Sequence, residues 1–168
     1  MSAAETSFRL APMSRSIFGL TVFLWALPLV FFAGAALGMR VLVIPAILFV
    51  AIYAWVWLRF RPSRFIVRRD AICVIWPAKR REIPRAEMSA VRIVDRHELR
   101  RDCGWCLRVG AGGLWGGFGW LWTERRGIVQ MYISRTDGLV WIERAGARPW
   151  LITPEEPEAF VRACQFRS

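Results

Sequence analysis

The clearest pattern along the chain is a change in the spacing of its polar residues. From Ser16 to Met39, 24 residues pass without a charge, and after Arg40 a further 18, Val41 to Leu58, do the same. About 20 apolar residues in a helix cross the ~30 Å of a bilayer's hydrocarbon. The first run is long enough with tilt. The second is at the short end, and Trp55, Trp57 and Arg59 extend it into the membrane interface. Only Gly38-Met39-Arg40 separates the runs, so residues 16–58 are expected to form a tight antiparallel transmembrane hairpin. Gly34 and Gly38 stand four apart, a spacing that either lets two helices approach closely or only shapes the turn. Pro28 and Pro45 lie inside the runs, where membrane helices tolerate proline at the cost of a kink. Ala33-Gly34-Ala35 after an apolar core also fits a signal-peptide cleavage site, although the apolar stretch before it is long for one. A buried soluble hairpin is the other alternative.

Beyond Leu58 the apolar runs become short. Phe65 to Val67 and Ile72 to Trp76 read as strands around an Arg68-Arg69-Asp70 turn. Pro77-Ala78-Lys79 makes the next turn, and Arg80 to Ile83 is a third strand that Pro84 ends or places at an edge. Val91 to Val94, Trp120 to Trp122, Ile128 to Ile133, Leu139 to Ile142 and Trp150 to Ile152 are further candidates. Glu124 to Gly127 and Asp137-Gly138 are hairpin turn signals between them. Thr153-Pro154-Glu155-Glu156 reads as a helix start, with Thr153 capping, Pro154 at the first helical position and Glu156 completing a capping box. Ala159, Phe160, Ala163 and Cys164 would form one face of that helix. The expected fold class is α+β: a helical hairpin, an antiparallel β-sheet or barrel, and a C-terminal helix. The organisation is a tail over 1–15, the hairpin over 16–58 and one domain over 59–168.

Charge sets the orientation. The 168 residues carry 24 cations against 13 acids, and Lys79 is the one lysine. Arg59, Arg61, Arg64, Arg68 and Arg69 fall within 11 residues that hold no acid, while the corner between the apolar runs carries Arg40 alone. The positive-inside rule then places both termini in the cytoplasm. A basic chain of this apolarity points to anionic phospholipid before nucleic acid, and each cation near such a surface contributes ~1 kcal/mol. The alternative is a solvated face that only enforces topology. No nucleic-acid motif accompanies the cations.

Little in the sequence points to catalysis. His97 is the only histidine, which excludes chemistry needing two imidazoles in one chain. Asp95, His97, Glu98 and Asp102 read as a solvated turn. Cys103-Gly104-Trp105-Cys106 is a CxxC, but no βαβ context surrounds it and no second pair completes a zinc site, so a thiol redox protein is the less favoured alternative. Six glycines lie between Gly110 and Gly119 without a phosphate-loop ending, which leaves a loop or a bulged strand. Trp105, Trp115, Phe118, Trp120 and Trp122 crowd this region, more aromatic mass than a glycine-rich backbone can bury. Two or more are expected to face lipid or a partner. No catalytic residue, metal ligand, cofactor or small-molecule substrate is expected.

The layout of seven or so strands closed by a C-terminal helix resembles pleckstrin-homology-like (PH-like) domains. Gly112 to Ala163 is similar to the C-terminal half of bacterial PH-domain membrane proteins, and Ile152-Thr153-Pro154-Glu155-Glu156-Pro157-Glu158-Ala159-Phe160 follows that family's terminal motif. Tyr132-Ile133-Ser134 departs from its usual tyrosine-alanine-threonine strand. The resemblance implies the PH-like fold and a multi-pass location in the bacterial inner membrane, but no reaction. One related group assists assembly of photosynthetic reaction centres. The expected role is therefore an accessory or assembly subunit that docks on a membrane protein complex, of reaction-centre type or another. Trp105, Trp115, Phe118, Trp120, Trp122 and the five arginines would form its partner or lipid interface, with Trp55 and Trp57 at the membrane interface. A lipid-surface module without a fixed protein partner is the alternative. Eukaryotic PH domains hold phosphoinositides with cations in a long loop between their first two strands, and the turn at Asp70 is short for that.

Overall fold

A computed structural model describes residues 5–165. The first apolar run forms α1 (Arg15–Ala36), capped by the Ser14 hydroxyl accepting from the Ile17 amide. The second forms α2 (Val43–Arg59), entered through a 3-10 turn at Arg40–Leu42. α1, and α2 taken together with its 3-10 entry (Arg40–Arg59), are long and apolar enough to cross a membrane. Pro45 falls in the first turn of α2, where its missing N–H removes no helical bond. The two glycines divide their roles. Gly38 makes the corner at φ +103°, and Gly34 is the close approach, because a Cβ there would stand 2.6 Å from Leu42 Cδ1.

The strands form two sheets. The first has the order β1-β2-β3-β4 and is antiparallel throughout: β1 (Thr6–Arg9), β2 (Arg64–Val67), β3 (Ala71–Ile75) and β4 (Arg80–Pro84). The segment expected as a tail therefore supplies a strand, with Phe8 opposite Phe65, and α1–α2 is inserted between paired neighbours. The second sheet has six strands: β5 (Met88–Val94), β6 (Cys106–Gly112), β7 (Gly117–Thr123), β8 (Gly127–Ile133), β9 (Leu139–Arg144) and β10 (Trp150–Ile152), in the order β5-β9-β10-β8-β7-β6. Asp137-Gly138 does not close a hairpin, because β10 lies between β8 and β9, parallel to β8 and antiparallel to β9. The expectation of a wholly antiparallel arrangement is corrected accordingly.

The C-terminal helix, α4 (Pro157–Gln165), starts later than the sequence suggests. Pro157 takes the first helical position. Pro154 bridges to Leu10, the Glu155 amide donates to Arg9 O at 2.9 Å, and the Thr153 hydroxyl accepts from the buried Ser134 amide at 2.9 Å. The Ser134 hydroxyl donates to Ala11 O at 2.6 Å. These bonds tie the chain entering α1 to the end of β8. Phe160 sits between Phe8 and Phe65, with ring centroids at 5.3 and 6.2 Å, and closes the core between the two sheets. Burying one such ring contributes ~1.5–3 kcal/mol. Arg85 caps the other end of α4, donating to Ala163 O at 2.8 Å and Cys164 O at 3.1 Å.

A short helix, α3 (Arg96–Cys103), covers the opposite face of the six-stranded sheet through Leu99 and Cys103. The sequence suggested a solvated turn here. Instead Asp95 caps the helix, accepting from the Glu98 amide at 2.7 Å, and Glu98 and Asp102, one turn apart, both bind Arg92 of β5.

Candidate functional site

The glycine-rich stretch is a β-hairpin, and its glycines let two strands meet. Gly110 faces Gly119 and Gly112 faces Gly117 across β6 and β7. Gly119 holds φ +132°, and a Cβ on it would fall 2.5 Å from Val109 O. The hairpin tip, residues 113–116, is seated on the helical hairpin. The Thr21 hydroxyl of α1 donates to Gly113 O at 2.8 Å and accepts from the Trp115 amide at 3.0 Å. Leu114 is buried against Tyr53 and Val56 of α2. The Trp115 ring stands edge-on to Trp57 at 4.8 Å and to Trp25 at 6.5 Å. Trp115 is thus half-buried against the helices, at φ +59°, a left-handed conformation costly for a bulky residue and stabilised here by the seat. The Tyr53 hydroxyl donates to Leu24 O at 2.8 Å and pins α1 to α2 beside it.

Below the tip, alternation along the strands divides the aromatics. Residues opposite each other in an antiparallel pair share a face, and so do alternate residues. Leu107 faces Trp122 and Val109 faces Trp120, so these four share one side of β6–β7, which Trp105 continues. Their exposures lie between 42% and 67%. Phe118 is on the same side but only 1% exposed, because at that level the four-stranded sheet covers β7 and β8 and the ring joins the core. Phe118 is therefore removed from the expected interface. Trp105, Trp120 and Trp122 form a contiguous exposed strip with Leu107 and Val109, two residues that sequence reasoning passed over. Their alternation along β6 was the available signal.

A cationic flank lies nearby. Arg59 stacks over Trp55 at 5.1 Å and Arg61 over Trp57 at 4.3 Å, so Trp55 and Trp57 hold the cations at the end of α2. Burial disfavours the charge on Arg61 and pulls its pKa down. Lys79 lies 4.7 Å above Trp76, with its pKa lowered by desolvation and then by repulsion from Arg59 and Arg81. Arg81 stacks over Trp150 at 5.3 Å and donates to Gln130, which faces Trp120 across β7–β8. Arg81 thus links the flank to the aromatic strip, and sequence reasoning had placed neither Lys79 nor Arg81 in an interface. The other predicted arginines lie elsewhere. Arg64 faces Arg9 on the outer side of β2, Arg69 is in the exposed turn, and Arg68 is paired with Glu5 at 2.7 Å and Glu82 at 3.7 Å.

The CxxC spans a helix end. Cys103 closes α3 and is fully buried, and Cys106 opens β6 half-buried. Burial pushes the Cys103 thiol up to about 11 and raises that of Cys106. A thiolate is stabilised at a helix N-terminus, whereas Cys103 sits at a C-terminus, where the dipole opposes negative charge. Among the described residues, no group of three or more His, Cys, Asp or Glu is placed to hold a metal ion.

A family model for the bacterial PH domain matches residues 63–168, more than half of the chain. The chain belongs to that family. No curated protein and no solved structure matches it. The matched bacterial PH domain begins just before β2, so β1 reaches its sheet from outside the matched segment, across the helical hairpin. The aromatic strip and α3 both fall within the PH domain.

Proposed function

We propose that this protein is a membrane-anchored, non-catalytic PH-domain subunit that docks on a partner membrane protein through the aromatic strip of β6–β7. In this reading α1 and α2 cross the bacterial inner membrane with both chain ends in the cytoplasm, where Arg59, Arg61 and Lys79 face the inner leaflet. The partner is a subunit of a membrane protein complex, photosynthetic reaction centres being one such class, and the role is accessory or assembly. The observation that carries the reading is the strip itself: three tryptophans, a leucine and a valine exposed together on one strand face. Interface hot spots are enriched in tryptophan, which brings large contact area at little entropic cost. The raised thiol of Cys103 supports binding over thiol chemistry.

The cationic flank favours a second reading. The charges acting on Lys79 are other cations, an environment suited to lipid phosphate, and in that case the strip lies in the headgroup region without a fixed partner. A photo-crosslinking residue at position 122, with position 158 on α4 as control, separates the two in native membranes. Docking gives a position-122-specific crosslink to another polypeptide that persists at high salt. Crosslinks to lipid alone, or none beyond the control, overturn the docking reading.

A further inference from the structure

The α3 side of the six-stranded sheet carries a different feature. An eight-residue helix is ~12 Å long, whereas six strands span ~24 Å, so α3 cannot cover the apolar face beneath it. What remains open is a cavity of about 440 Å³ between α3, β6 and the sheet, within the usual size of ligand pockets. Its floor is apolar, with Leu121, Met131 and Leu151 from β7, β8 and β10, and its mouth is cationic. Arg96 and Arg100 stand one turn apart on α3, and Arg108 lies opposite Leu121 on β6, so its side chain belongs to the same face. No acid lines the cavity. Glu98 and Asp102, the nearest acids on α3, are engaged by Arg92, and among the described residues Arg96, Arg100 and Arg108 have no ion pair.

We infer that this cavity binds an amphipathic anion, a single aliphatic chain with a carboxylate or phosphate head. The chain fills the leucine- and methionine-lined floor, and the head meets the three guanidinium groups, whose donor forks suit either oxyanion. A hydrated inorganic anion alone leaves the apolar floor wet, and a neutral chain leaves the arginines unengaged, so both parts of the ligand are required. The site is on the opposite face of the sheet from Trp120 and Trp122, and Trp105, at the end of the aromatic strip, also lines it.

Met131 reports on the floor. The full chain, labelled with ¹³C at the methionine methyls and reconstituted in phosphatidylcholine nanodiscs, is titrated with dodecyl phosphate and with dodecanoate. The Met131 methyl resonance, assigned with Met131→Leu, shifts saturably, while that of Met88, which packs in the other core, stays in place. Arg100→Gln and Arg108→Gln, both exposed positions, each weaken binding about fivefold. The tighter of the two amphiphiles identifies the head group, and so distinguishes a lipid phosphate from a fatty acid. An unmoved Met131 methyl overturns the inference. So does a dodecanol titration as strong as that of the anions, equal binding of inorganic phosphate, or arginine variants that bind like the parent.

Discussion

Thr21→Val removes one oxygen and almost no volume, which makes it a clean probe of how the PH domain is held to its helices. Thr21 is 6% exposed and its hydroxyl has three partners: it approaches Ile17 O and Gly113 O, each at 2.8 Å, and accepts from the Trp115 amide at 3.0 Å. Ile17 O keeps its place in the helix when the hydroxyl is lost, so the cost falls on Gly113 O and on the Trp115 N–H. A buried polar group left without a partner costs ~1–3 kcal/mol, and with partial relaxation of the tip the pair amounts to ~2 kcal/mol. That corresponds to about a thirtyfold rise in the population of the undocked tip. Hydrogen exchange of the full chain in detergent reads it directly. The peptide spanning Gly113 to Gly117 exchanges about thirtyfold faster in Thr21→Val, while amides of the fully paired β9 are unchanged. Thr21→Ser keeps the oxygen and behaves nearly as the parent. Equal exchange at the tip in Thr21→Val and parent would show that this hydroxyl does not seat the hairpin.

Two further outcomes follow from buried groups. Thr153→Val deprives the buried Ser134 amide of its acceptor and loosens the tie to Ala11, so it destabilises the protein by ~1–3 kcal/mol, measured as a lowered urea midpoint at unchanged slope. Stability falls in alkali. Burial raises Cys103 to about 11, and Cys164 and Tyr132 to about 12, from 9.0 for thiols and 10.0 for tyrosine. Raised pKa values mean that the unfolded chain releases these protons first, so stability is full below about pH 9 and declines as pH rises toward 12; urea midpoints that stay constant from pH 9 to 12 would contradict this.

Much of this architecture was legible where local pattern decides it. The two uncharged runs became α1 and α2 within a few residues, and the β2–β3 and β3–β4 turns fell at Arg68-Arg69-Asp70 and Pro77-Ala78-Lys79. The signals that failed were those overridden by distant pairing. Asp137-Gly138 has hairpin chemistry, yet Trp150-Leu151-Ile152 offers three fully buried apolar residues, and inserting that strand between β8 and β9 satisfies both of their edges. β1 carries a single buried side chain, Phe8, so no periodicity marks it, and its partner lies beyond the whole helical hairpin. For α3 the signal was present and outweighed by charge: Asp95 with Glu98 three residues later is a capping pattern, and its acids serve Arg92 rather than solvent. In the aromatic cluster, composition gave the excess of tryptophan but not its division. That depends on how far the four-stranded sheet reaches, which buries Phe118 and leaves Trp120, two residues on, exposed.

The position of the helical hairpin within the fold changes what the aromatic strip can do. A domain tethered after two helices by a free linker would sample many orientations and lose them on docking, at a cost in affinity. Here three connections restrict that freedom. β1 pairs with β2 on either side of α1–α2, the β6–β7 tip sits on Thr21, Tyr53 and Val56, and the end of α2 is bound by the Trp76 indole donating to Phe60 O at 3.0 Å and the Ala78 amide donating to Leu58 O at 3.3 Å. The strip continues along the same two strands from the seated tip, so its height and facing relative to the helices are set by short, bonded contacts. The glycines, whose pattern suggested a loop or a bulged strand, are what bring β6 and β7 close enough for this, and the hairpin acts as a rigid strut between the helices and the exposed tryptophans. In the proposed docking reading, a partner therefore meets a surface already in place, and its affinity reflects the aromatic contact itself, with little of it lost to ordering the domain.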